Sequence, residues 1–148
     1  MVCKVSEHQL WDKVRAGLTD AADLKIDLMR VENLVMAGPP DVNGCYKGVE
    51  FWLELKHKDA VPARDSTPIF REGVGLRPEQ VVWLHRRARH GGRCWILGRA
   101  GESIWLVHGR HAKAFNDAGY LQLVELSDWW WNGKKVDWKG LLSTIVGE

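Results

Sequence analysis

Residues 49–56, VEFWLELK, constrain this chain more tightly than any other stretch. Val49, Phe51, Leu53 and Leu55 alternate with Glu50, Trp52, Glu54 and Lys56, and side chains two apart on a strand share a face. A strand here buries Leu53 and Leu55 and aims Glu54 and Lys56 together in the opposite direction. The preceding residues, 38–48, carry Pro39-Pro40-Asp41 and two turn signals, Asn43-Gly44 and Lys47-Gly48. If 42–46 forms a second strand and the two pair as a hairpin, Asp41 approaches Glu54 from the neighbouring strand.

Two carboxylates held close repel unless something positive lies between them. Mg²⁺ or Mn²⁺ is the natural occupant, because hard cations take carboxylates, water and phosphate oxygens. Lys56 then faces the same spot, placed to stabilise negative charge on a phosphate or to orient the attacking water. The bland alternative is a surface hairpin whose outward face carries charge for solubility.

Pro40-Asp41, followed after twelve residues by Glu54-Leu55-Lys56, resembles the PD-(D/E)xK nuclease signature. The form Gly-x-Pro-Asp, a short turn, then Phe-Trp-x-Glu-x-Lys is most similar to the stand-alone phage VRR-NUC (virus-type replication-repair nuclease) domains. The resemblance spans residues of about 6–108. It implies an α/β, restriction-endonuclease-like αβββαβ core, a mixed central sheet flanked by helices. It further implies a Mg²⁺- or Mn²⁺-dependent DNA endonuclease, structure-selective on branched DNA like a Holliday-junction resolvase, and a homodimer. A sequence-specific restriction-type endonuclease and a non-catalytic nucleic-acid-binding protein on the same fold remain alternatives. The site it implies is Asp41, Glu54 and Lys56, with the Leu55 carbonyl as a further metal ligand. A first-helix acid, for which Glu7 is the candidate and Glu32 the rival, completes it. Gln80, entering a helix four residues after Leu76, borders it.

The 148 residues suit one domain, with residues 111–148 as a C-terminal, Trp-rich helical extension. No apolar run approaches the ~20 residues of a membrane span, and the start lacks a signal-peptide segment. Cys3, Cys45 and Cys94 lie far apart without CxxC spacing, which argues against zinc or a disulfide framework. The expectation is the cytoplasm of a bacterial or phage-infected cell. Net charge is only +2, but residues 85–113 carry Arg86, Arg87, Arg89, Arg93, Arg99, Arg110 and Lys113 against the single acid Glu102. Such a local excess fits either a phosphate-binding face or a solvated helix face.

In chain order, residues 6–18 read as a helix, with Ser6 as N-cap and a stripe of Leu10, Trp11, Val14 and Leu18. Glu7 sits at the edge of that stripe. Residues 24–31 read as a strand. A long polar connection over 57–76, with Arg64 and Arg71, is placed to close over nucleic acid. Pro78 and Glu79 start a helix that ends near Gly91, with Val81, Leu84 and Ala88 inward and Arg86, Arg89 and His90 outward. Two buried strands follow at 93–97 and 103–108, then a short helix over 111–118. Residues 120–126 read as extended and 137–146 as a final helix. Trp129, Trp130 and Trp131 cannot share one face of a regular element. With Lys134 and Lys135 beside them they fit either core packing plus a dimer contact or stacking on unpaired bases.

Overall fold

The computed structural model describes residues 2–31, 35–71 and 73–148, with side chains of the first helix from Glu7 onward. Glu32 lies outside the described residues, as does the Ser6 side chain. The elements run α1 (Val2–Ala21), β1 (Asp27–Arg30), β2 (Val42–Tyr46), β3 (Val49–Lys58), α2 (Pro78–Arg89), β4 (Cys94–Ala100) and β5 (Ser103–His108). A 3₁₀ turn (Gly109–His111), α3 (Ala112–Phe115), α4 (Tyr120–Leu126), β6 (Ser127–Asn132) and α5 (Trp138–Val146) complete the chain. The first six elements reproduce the expected αβββαβ order.

The six strands form one mixed sheet in the order β1 to β6. Among the described strands only β3 and β4 are parallel, because α2 crosses between them. Residue alternation splits the core into two layers. Phe51, Leu53, Leu55, Trp95, Leu97, Ile104 and Leu106 meet α1 and α5 through Leu10, Val14, Leu18, Leu141 and Ile145. Cys94, Ile96, Trp105 and Val107 meet the α2, α3 and α4 side through Leu84, Phe115 and Leu123. Leu53 and Leu55 are thus buried as the alternation predicts, and Trp52 packs on the opposite layer.

Several expectations are corrected. Ser6 is inside α1 rather than at its start, since the helix begins at Val2. β1 covers only Asp27–Arg30, and Leu24, with φ +66° and 80% exposure, caps the turn after α1 instead of joining a strand. In α2 the buried side is Gln80, Trp83 and Leu84, with Val81 and Ala88 only half-buried. The 59–77 connection is not a free polar flap. Ile69 and Phe70 are fully buried, and Phe70 stacks on Phe115 at 4.9 Å and meets Trp105 edge-on at 6.1 Å.

Residues 120–126 are helical. Tyr120, Leu123 and Val124 lie at i, i+3 and i+4 on the face turned to the core, and the Gln122 side chain accepts from the Gly119 N–H at 3.0 Å. The tryptophan run is a strand rather than part of a helical extension. β6 pairs with β5, so Trp129 and Trp131 share one face, their rings 6.4 Å apart and nearly parallel. Trp130 points the other way, against Tyr120. With α5 packed on α1, residues 127–146 belong to the sheet and its inner layer.

Candidate active site

The pairing of β2 with β3 sets Val42 opposite Leu53, which brings Asp41, one residue outside the ladder, across from Glu54. Two backbone contacts fix Asp41. Its carbonyl accepts from the Val31 N–H at 2.6 Å, and its Oδ2 accepts from the Leu55 N–H at 3.0 Å. A residue's N–H and C=O point to the same side of a strand, so the Leu55 carbonyl opens on that side too. Gly38 holds the preceding turn against α2. Its φ of +115° favours glycine, and a Cβ there would press on the Glu79 carbonyl and the Trp83 side chain.

On the face of β3 opposite Leu53 and Leu55, Glu54 and Lys56 are both buried, at 2% and 7% exposure. Each would be costly alone. Lys56 Nζ lies 3.2 Å from Glu54 Oε2 and donates to Gln80 Oε1 at 3.1 Å, while Gln80 Nε2 donates to Glu54 Oε2 at 2.9 Å. Gln80 Oε1 also accepts from the Arg77 N–H at 2.9 Å, the reach-back contact of a helix N-terminus. One amide therefore ties the first turn of α2 to both charged groups of β3.

Glu54 Oε1 is buried and has no donor beside it, so that it can be bonded there only through a proton shared with the Asp41 carboxyl. Burial above all, then the charge of Asp41, raises the Glu54 carboxyl from 4.5 to about 8, against the opposing pull of Lys56. Burial likewise raises Glu7, with Lys56 opposing and Asp41 adding to the effect.

Glu7, Asp41, Glu54, Lys56 and Gln80 line a single cavity of about 550 Å³. Among the described residues no three His, Cys, Asp or Glu side chains form a metal cage, so Glu7 stands in the wall and does not close a three-acid cluster. The donor set nonetheless fits a hard divalent ion. It comprises two carboxylates, one with a buried oxygen that has no donor beside it, next to a backbone carbonyl, and leaves positions for water and phosphate.

Leu76, Arg77 and Asn116, absent from the sequence-derived site, also line the cavity. Their signal was weak. Arg77 reads only as a helix start, and Asn116 lies in a segment that the motif does not reach.

The other basic candidates are elsewhere. Arg86 and Arg89 border a second, shallower groove with His85, Val82 and Lys113. His90 is exposed, its ring nitrogen against the Arg86 carbonyl. Arg64 and Arg71 are exposed on the 59–77 connection and Lys134 and Lys135 in the turn after β6, all outside the cavity lining. Arg87 covers the Trp83 ring, Arg93 contacts the Ile145 carbonyl, and Arg110 pairs with Asp128, all three remaining exposed and outside the cavity lining.

No protein-family model and no curated protein matches this sequence. Among solved structures the chain is similar to that of Archaeoglobus fulgidus Hjc, a Holliday junction resolvase from an archaeal hyperthermophile. Identity is 16%, the match covers 72% of this chain and 77% of that one, and the TM-score is 0.45.

Proposed function

We propose that this chain is a divalent-metal-dependent endonuclease that hydrolyses phosphodiester bonds in branched DNA. Residues 1–148 are read as one nuclease unit, acting as a homodimer in the cytoplasm. The observation that carries this reading is the buried Glu54–Lys56–Gln80 network opening, with Asp41, onto one cavity. Burying an acid and an amine side by side costs stability that a structural role does not require, and perturbed carboxyls in a cavity mark functional sites.

In this mechanism Asp41, Glu54 and the Leu55 carbonyl would hold Mg²⁺ or Mn²⁺. The bound ion supplies Lewis acidity and lowers the pKa of a water molecule. Lys56 meets the phosphate and stabilises the negative charge that develops on it. Gln80 fixes the Lys56 ammonium by accepting from it, and orients Glu54 by donating to it. The half-buried Glu7 adds negative potential to the wall. Arg86 and Arg89 hold the backbone of the strand outside the cavity, and two sites related by a dimer axis suit the two strands of a junction.

The test is a panel of labelled four-way junction, flap and linear duplex incubated with Mg²⁺, Mn²⁺ or EDTA. The expected result is metal-dependent cleavage of branched substrates that Asp41→Asn and Lys56→Ala abolish. Cleavage at one sequence in plain duplex would instead identify a restriction-type enzyme. Binding without cleavage in any metal would leave a binding protein on this fold, and wild-type cleavage by an Asp41→Asn/Lys56→Ala double variant would exclude this site.

A further inference from the structure

The cavity has a wall that the acids, Lys56 and Gln80 do not account for. It is formed by Leu76 and Arg77, backed by Asn116. Arg77 is a mostly exposed arginine, and its one ion pair among the described residues, with Glu79 at 3.4 Å, is itself open to water. Such a pair is worth little and exchanges readily for a better anion.

The backbone beneath Arg77 is held with unusual care. The residue before it, Leu76, is clamped twice by one side chain. Its N–H donates to Asn116 Oδ1 at 2.7 Å, and its carbonyl accepts from Asn116 Nδ2 at 2.8 Å. Arg77's own N–H is taken by Gln80. Gly75 packs so tightly against Asn116 and the Phe70 carbonyl that any side chain there would collide. A surface arginine on a connecting segment has no structural need of such anchoring. A guanidinium that must meet a phosphate at a fixed place does. The positive charge of Arg77 also reaches Glu7, which lines the same cavity, and opposes the rise of its carboxyl.

We propose that Arg77 binds a substrate phosphate in the cavity that Asp41 and Glu54 also line, and that Asn116 is the positioning residue that holds it there. This rests on the nuclease reading given above. Arg77 recruits the strand through a backbone phosphate oxygen, and Asn116 acts only through the Leu76 backbone.

The experiment uses the full chain, a labelled four-way junction and a linear duplex, with binding measured in EDTA at several salt concentrations and cleavage measured in Mg²⁺ and Mn²⁺. Loss of one phosphate contact lowers the slope of log affinity against log salt by about 0.9 for duplex DNA. Arg77→Ala should show that drop with at least a tenfold loss in kcat/KM, and Arg77→Lys should restore the slope. Asn116→Ala should raise KM with the salt slope kept, and should add nothing in the Arg77→Ala background, because both changes act on one contact.

An Arg77→Ala protein with wild-type salt slope and wild-type kcat/KM overturns the inference while leaving the nuclease standing. Fully additive losses in the double variant remove the role given to Asn116. A wild-type protein that neither binds nor cleaves these substrates overturns the function itself, and the inference with it.

Discussion

Glu54→Gln gives a direct measure of the electrostatics at the heart of the cavity. The Glu54 carboxyl is held at about 8 instead of 4.5, chiefly by burial and next by the negative charge of Asp41. Its folded value lies above its unfolded value. The folded, metal-free protein therefore keeps a proton that the unfolded chain has already released, and the associated stability is complete below about pH 4.5 and lost as pH rises through about 8. At ~1.36 kcal/mol per pH unit the interval corresponds to roughly 5 kcal/mol, less whatever part of the proton Asp41 shares. Glutamine has the same shape and no proton to lose. Its amide oxygen can accept from Gln80 and Lys56, and its NH₂ can donate where Glu54 Oε1 has no donor beside it. Urea unfolding in EDTA between pH 5 and 8.5, followed by tryptophan fluorescence, reads the difference between the two proteins. The depressed values of His57, His108 and His111 act oppositely, adding stability as pH rises, and cancel in the comparison. Glu54→Gln should match wild type near pH 5 and exceed it by several kcal/mol at pH 8. Mg²⁺ or Mn²⁺ added at pH 8 should stabilise wild type alone. A stability gap that does not change with pH would refute the reasoning.

Asp41→Asn and Lys56→Ala should each lower junction cleavage on the order of a hundred- to a thousandfold, with affinity in EDTA near wild type by gel shift. Phe70→Ala should cost about 3–5 kcal/mol in urea unfolding, because a fully buried ring loses its stack on Phe115 and its edge contact with Trp105; a loss below ~1 kcal/mol would mean that the 59–77 connection is not anchored there. The Arg86→Ala/Arg89→Ala double variant should lower the salt slope of duplex binding by roughly 1.8, two phosphate contacts' worth, without moving the melting temperature. An unchanged slope would remove the α2 groove from the DNA path.

The residues around β3 were legible because their constraint is local. Period-two alternation assigns Leu53 and Leu55 to one side and Glu54 and Lys56 to the other whatever the rest of the chain does, and a hairpin register then brings Asp41 alongside. Gln80 was legible only through the resemblance, since a glutamine in a first helical turn has an ordinary capping use. Asn116 was illegible. Its contact with Leu76 spans 40 residues, and no spacing rule reaches that far. Residues 120–126 were misread because an apolar heptad with few polar positions satisfies both periods, and the Gln122 cap that decides for a helix is visible only once Gly119 is placed. The buried Ile69 and Phe70 were hidden by their company. Prolines, glycines and charges on both sides disguise a two-residue plug as part of a polar loop.

That plug explains how a cavity wall made from a long connection stays in place. Phe115 and Asn116 are neighbours at the end of α3. Phe115 stacks on Phe70 inside the core, while Asn116 clamps Leu76 at the cavity's edge. One short helix therefore holds the connection at two points on either side of Gly73 and Gly75, and fixes where Arg77 stands at the start of α2. Gln80, one turn into α2, sets Lys56 and Glu54 separately. The Arg77 wall of the cavity is thus placed by a segment that lies beyond the reach of the sequence motif. Mutational sensitivity of the cavity should accordingly extend to α3, where motif-based reasoning places nothing.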